Sequence, residues 1–120
     1  MGRDLTLCPD VYAFETPRLV VDSEWFCAHT RLDVHRDYRL FAAFAACGPL
    51  PLPARVRFTW YGDAGVEDRT TDAHARPLTY ITPARLTTAR LPGGLDAWNS
   101  AVCQFLLALP AHTRIVLYWH

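Results

Sequence analysis

Five side chains between residues 63 and 74 have the types and spacing that could carry chemistry. They are four carboxylates and one imidazole: Asp63, Glu67, Asp68, Asp72 and His74. Such groups can hold a hard cation or act as general acid and base. However, their spacing matches neither an EF-hand calcium loop nor the paired histidines of a helical zinc site. The sequence therefore predicts no metal, no cofactor and no catalytic residue, and favours a polar surface loop from Gly62 to Arg76 that contacts a partner.

Aromatic residues lie directly before this acidic stretch. Trp60 and Tyr61 belong to a set of 4 tryptophans and 5 tyrosines, and every basic residue of the chain is an arginine. Tryptophan, tyrosine and arginine dominate the energetics of protein interfaces. Trp60, Tyr61 and the acidic stretch are therefore predicted to bind a protein partner.

Two other groups of residues have a chemical interpretation. Arg55 and Arg57 could grip RNA while Trp60 stacks on its bases, but 12 basic and 12 acidic residues leave no net charge to attract phosphates. Cys27, with His29 nearby, could form a thiolate nucleophile, but its apolar neighbours favour burial. Both patterns are more typical of ordinary structural positions, and the sequence disfavours nucleic acid.

The four cysteines, Cys8, Cys27, Cys47 and Cys103, are scattered singly and form no CxxC pair. Three of them lie among apolar residues, where a free thiol behaves as a small hydrophobic side chain. We predict reduced, structural cysteines, and a disulfide framework stays open as the alternative.

Length and composition predict one α+β domain over residues 1–120. With 120 residues and 51% hydrophobic content, the chain can bury a core without help from disulfide bonds or bound metal ions. The longest uncharged stretch is too short and too polar for a bilayer, and the start lacks the features of a secretory signal. The expectation is a cytoplasmic protein that does not associate with membranes.

The periodicity of apolar residues and the positions of glycine, proline and capping residues predict the strands and helices. Strands are predicted on both sides of Pro17, from Trp25 to His35, around Phe58 and over residues 114–119, the last buried on both faces. Helices are predicted over residues 37–47, over 82–90 and from Asp96 to Leu109. The proline-rich run after Gly48 predicts an extended connection.

The last of these helices has the clearest periodicity. Its predicted buried stripe is Trp98, Ala101, Val102, Phe105, Leu106 and Leu109. The resulting fold class is a mostly antiparallel sheet of about four to five strands, packed by two to three helices, with a C-terminal helix followed by a buried strand.

Three stretches together resemble an uncharacterised family of small bacterial and phage proteins. They are residues 36–45 (an Arg-x-Tyr-x-Leu-Phe-Ala helix), residues 72–82 (an Asp/His loop before Tyr-Ile-Thr) and residues 113–119 (a closing Arg-Ile-Val-x-Tyr-Trp strand). The chain departs from this pattern around His74, where Ala73 and Ala75 stand in place of a repeated His-Ser. The resemblance implies one compact domain and a setting of mobile elements or bacterial competition, and it carries no known activity.

The functional expectation is a non-catalytic inhibitor, an immunity protein that neutralises a cognate toxin. An acidic loop could mimic phosphate against the basic cleft of a toxin that acts on nucleic acid. The alternatives are a phage or prophage accessory protein that binds a host factor, and a small metal-dependent hydrolase that uses the His74 loop. The sequence leaves the partner's identity and a homo-oligomer open.

Overall fold

A computed structural model describes residues 3–10, 25–28, 30–62 and 65–120 of the chain. The strands are β1 (Leu5–Pro9), β2 (Trp25–Ala28), β3 (Leu32–Asp33), β4 (Leu50–Pro51), β5 (Arg57–Gly62), β6 (Gly65–Arg69), β7 (Thr79–Ile81) and β8 (Ile115–Trp119). The helices are α1 (Tyr38–Ala46), α2 (Pro83–Leu86) and α3 (Ala97–Ala108). The two strands predicted around Pro17 lie outside the described residues.

The main sheet has five strands in the order β3-β1-β8-β7-β4, and every neighbouring pair is antiparallel. This arrangement confirms the predicted α+β class. β8 is central, as its apolar and β-branched sequence indicated, and its first four residues are buried. The prediction that this strand is covered on both faces is confirmed.

A second sheet has the order β2-β5-β6, with β2 parallel and β6 antiparallel to β5. It corrects two predictions. Residues 25–35 do not form one strand, because β2 joins the second sheet while β3 joins the first. Residues 62–76 are not a loop throughout, because β6 pairs with β5. The hydrogen bonds between the two backbones stabilise this strand, and they require no alternation of apolar and polar residues in the sequence.

The main sheet lies between the helices and the second sheet. Leu5 and Leu7 of β1 pack with Leu117 of β8 and the helices. On the other face, Cys8 and Val116 join a separate apolar cluster with residues of the second sheet. Alternate residues of the central strands thus contribute to two cores.

Capping residues start the helices where the sequence predicted. The Asp37 carboxylate accepts from the backbone N–H groups of Arg39 and Leu40, and the Asp96 carboxylate accepts from that of Asn99. Thr82 caps α2, but this helix ends at Leu86 rather than near Arg90. The prediction that the proline-rich run is only an extended connection is wrong at Leu50–Pro51, which form β4. This strand pairs with β7 at the edge of the sheet, where a proline that lacks an N–H is tolerated.

The buried face of α3 differs from the predicted stripe. Asn99, Val102, Cys103 and Leu106 are buried, whereas Trp98 and Phe105 are 46% and 42% exposed. The helix is therefore rotated about its axis relative to the prediction, and Asn99 explains why. Its side-chain amide donates to the carbonyl of His35 at 2.9 Å, and its Oδ1 accepts from the His35 N–H at 2.8 Å. Burying this paired amide turns the larger aromatic side chains outward.

Cys8, Cys47 and Cys103 are free thiols, as predicted, and the side chain of Cys27 is outside what the structure describes. Burial raises the pKa of Cys8 to about 12, so this thiol is not a nucleophile. Among the described helices, none has the length and apolar character needed to cross a bilayer.

The rotation of α3 makes a testable prediction. Leu106→Ala should lower the free energy of unfolding by about 2–5 kcal/mol, because it leaves a cavity in the core. Phe105→Ala, its neighbour on the exposed face, should lower it by less than about 1 kcal/mol. Urea unfolding followed by circular dichroism measures both changes, and the reverse order would contradict the orientation of the helix.

Candidate functional site

The predicted partner-binding residues fall into two separate places. Trp60 lines a pocket between the two sheets, and Glu67 and Asp68 lie on β6 beside it. Asp72 and His74 instead line a second pocket on the helix side of the main sheet. Asp63 and the side chain of Tyr61 lie outside the described residues. The structure therefore does not gather the acidic stretch into one site.

The Trp60 pocket has a volume of about 490 Å³. Its lining comes from four strands and the chain around them: Thr6, Arg31, Asp33, Trp60, Tyr118 and His120. Such a volume is typical of sites that take a small molecule or a side chain of a partner.

Aromatic rings and arginines form one wall of this pocket. The ring centroids of Trp60 and Tyr118 are 4.4 Å apart. The guanidinium carbon of Arg31 lies 4.7 Å from the Trp60 centroid, and that of Arg69 lies 5.5 Å from it. Arg69 also donates to the Tyr118 hydroxyl at 2.8 Å. These contacts hold the indole in one orientation by cation–π attraction.

A chain of hydrogen bonds forms the opposite wall. The buried Thr6 hydroxyl donates to Oδ1 of Asp33 at 2.6 Å, and its oxygen lies 2.9 Å from Nε2 of His120. With its proton directed to Asp33, the hydroxyl accepts from the imidazole. Thr6 is thus a buried positioning group rather than a nucleophile, and the pocket offers a carboxylate and an imidazole to a ligand.

The carboxylates of β6 are paired with arginines. Oδ2 of Asp68 accepts from Arg57 at 2.7 Å and Oδ1 accepts from the Thr59 hydroxyl at 3.0 Å. Glu67 forms an ion pair with Arg69 at 2.7 Å. The Arg57 hydrogen bond lowers the pKa of Asp68, followed by that of Thr59. This part of the surface presents paired charges rather than a concentrated negative patch.

The second pocket is built around a loop that Asp72 holds closed. Oδ1 of Asp72 accepts from the backbone N–H groups of His74 at 2.8 Å and Arg76 at 3.1 Å. Its own N–H donates to the Arg76 carbonyl at 2.9 Å. Ala75 has φ 61°, a left-handed conformation that alanine rarely adopts. The loop places the exposed His74 and Arg76 over a cavity of about 400 Å³.

Several residues of both pockets carry no signal in the sequence. Arg31, Asp33 and His120 reach the Trp60 pocket from distant segments, and Arg3 covers the ring of Trp119 in the second pocket at 4.3 Å from its centroid. Alternation along the predicted last strand could have placed Tyr118 and Trp119 on opposite faces. The partners of these two residues come from long-range pairing that local spacing does not encode.

The alternative of a metal-dependent hydrolase finds no ligand set in the described ranges. No group of three or more histidine, cysteine, aspartate or glutamate side chains is placed there to hold a metal ion. His74 lies near Asp72, whose Oδ1 accepts from the backbone N–H groups of its own loop.

The strained loop makes a prediction for Ala75. Ala75→Gly should raise the free energy of unfolding by about 0.5–1 kcal/mol, since relief of the left-handed strain exceeds the entropy that glycine loses on folding. Ala73→Gly is the matched control, because the φ of Ala73 is not positive and there is no such strain to relieve. This variant should have a free energy of unfolding about 0.5–1 kcal/mol lower than the parent protein. Thermal unfolding of both variants measures the difference, and equal destabilisation would contradict the loop geometry.

Asp68 predicts a pH dependence of stability. Because its folded-state pKa is lowered, its ion pair contributes stability above the unfolded pKa of about 3.9 and loses it as pH falls through the folded value. Asp68→Asn should therefore reduce the melting temperature at pH 6, and the gap from the parent protein should close at lower pH. A constant gap down to pH 2 would contradict the Arg57 contact.

Comparisons with known proteins found no relative of this chain. No protein-family model matches the chain, and no curated protein sequence or solved structure is significantly similar to it. The resemblance to small bacterial and phage proteins stays a prediction. The two pockets and the residues around them are therefore the basis for assigning a function.

Proposed function

We propose that this protein is a non-catalytic binding protein that inhibits a partner protein by covering it, as an immunity protein covers its cognate toxin. The observation that carries the proposal is the Trp60 pocket, where an indole fixed by Arg31 and Arg69 borders a cavity of about 490 Å³. Preorganised aromatic and arginine side chains around a pocket are the usual centre of a protein interface.

The charges of this surface favour a protein partner over nucleic acid. Arg57 and Arg69 are each paired with a carboxylate of β6. Paired charges do not produce the unbalanced positive field with which proteins attract phosphate backbones. They do offer donors and acceptors of both signs, which a folded partner can match.

The residues of the proposed interface differ in their expected importance. Trp60 lies at the centre, and the pocket beside it would receive a side chain of the partner. Glu67 and Asp68 lie on the exposed β6, at the rim, where charge substitutions mainly change association rate and salt dependence. Asp72 and His74 line the other pocket and are not part of this surface.

The first experiment is affinity purification of the tagged full chain from its native host, followed by titration calorimetry with the purified partner. Trp60→Ala should raise the dissociation constant about thirtyfold, as expected for a central residue that contributes about 2 kcal/mol. Arg31→Gln, an exposed change, should raise it about tenfold and tests the same surface without removing the packing of Trp60 on Tyr118.

Two matched controls lie on the helix side of the main sheet. Phe105→Ala removes an exposed aromatic ring and Arg90→Gln removes an exposed arginine, and neither should change affinity. Inhibition is tested by adding one equivalent of the protein to the partner and measuring the partner's activity. Undiminished activity at saturation would contradict the inhibitory role, and unchanged affinity in both Trp60→Ala and Arg31→Gln would contradict the proposed surface.

A further inference from the structure

We propose that the cavity beside His74 binds a free α-amino acid with an apolar side chain. The cavity of about 400 Å³ combines one buried carboxylate, three basic side chains and an apolar wall. This volume lies in the range of small-molecule sites. An α-amino acid needs an acceptor for its ammonium, donors for its carboxylate and an apolar surface for its side chain.

Asp72 provides the acceptor. The residue is only 6% exposed and lines the cavity. Both of its hydrogen bonds go to Oδ1, and within the described part of the chain Oδ2 accepts none. A ligand ammonium in the cavity could therefore donate a charge-assisted hydrogen bond to Oδ2.

Arg3, Arg76 and His74 provide the donors. Among the described residues, none of these three side chains forms a hydrogen bond or an ion pair. Most other arginines are engaged, for example Arg36 with Asp4 and Arg57 with Asp68. The two guanidinium groups at this cavity therefore remain available for a ligand carboxylate, which arginine binds in bidentate geometry.

The remaining lining selects the rest of the ligand. Ala45, Pro49, Pro77 and Leu117 form apolar walls that suit an aliphatic or aromatic side chain. Arg3 already covers a face of the Trp119 ring, and Phe41 packs edge-on against the same ring at 5.7 Å, so the indole is a poor stacking platform for a nucleobase. A plain anion such as phosphate has no ammonium with which to donate to the Asp72 carboxylate. Both features favour a zwitterion.

This site is independent of the partner surface. Leu117 and Trp119 of β8 face the helix side, whereas Tyr118, between them in sequence, faces the Trp60 pocket. Failure of one proposal leaves the other intact, because different residues and different ligands test them.

The test is titration calorimetry of the full chain with L-leucine and L-phenylalanine. At least one should bind with a dissociation constant of about 1 mM or lower, which is modest for a ligand of this size. Two analogues isolate the head groups: 4-methylpentanoate lacks the ammonium of leucine, and 3-methylbutylamine lacks its carboxylate. Each should bind at least tenfold more weakly. Inorganic phosphate is the control for a simple anion site and should not compete.

Two variants assign the contacts. Asp72→Asn keeps Oδ1 as the acceptor for the loop and replaces Oδ2 with an N–H₂ donor, so it should weaken leucine binding at least tenfold. Arg76→Gln changes an exposed side chain that forms no hydrogen bond or ion pair with the described residues, and it should weaken binding by a similar factor. Arg90→Gln, the matched exposed arginine, should have no effect.

Three results would overturn the proposal: no binding of either amino acid at 10 mM, equal binding of leucine and 4-methylpentanoate, or competition by phosphate. Unchanged affinity in Arg76→Gln would overturn the assigned contacts even if Asp72→Asn does not fold.

Discussion

The whole arrangement depends on the burial of β8 on both faces. This strand pairs with β1 and β7, and its alternate residues belong to two different apolar clusters. Ile115 and Leu117 contact the helix layer, while Val116 contacts the second sheet. A strand that is apolar on both sides cannot be placed at an edge or against solvent, so the other layers must assemble around it.

The same alternation separates the two candidate sites. Tyr118 points to the Trp60 pocket, and Trp119, one residue later, points to the cavity beside His74. Each ring is held by an arginine from a distant segment, Arg69 for Tyr118 and Arg3 for Trp119. One short strand thus supports the proposed protein-binding surface on one face and the proposed small-ligand cavity on the other, without shared side chains.

Charge pairing distinguishes the two sites physically. At the hairpin of β5 and β6, the carboxylates of Glu67 and Asp68 each have an arginine within hydrogen-bond distance, so the proposed partner surface presents charges that are already paired. At the cavity, Asp72 is held by backbone N–H groups rather than by an arginine. Among the described residues, the side chains of Arg3, Arg76 and His74 form no hydrogen bond or ion pair there, and this is the basis of the proposed preference for a zwitterion.

The sequence by itself determined the features that depend on near neighbours. The helix starts at Asp37 and Asp96 follow from side chains that cap adjacent backbone groups, and the central place of β8 follows from its own composition. Only the tertiary structure decided the face of α3, because the amide of Asn99 pairs with His35, which is 64 positions away in the chain. It also decided the division of the acidic stretch. The β6 carboxylates lie beside the Trp60 pocket, whereas Asp72 lines a cavity whose other walls come from α1 and β8, and such long-range neighbours leave no local period.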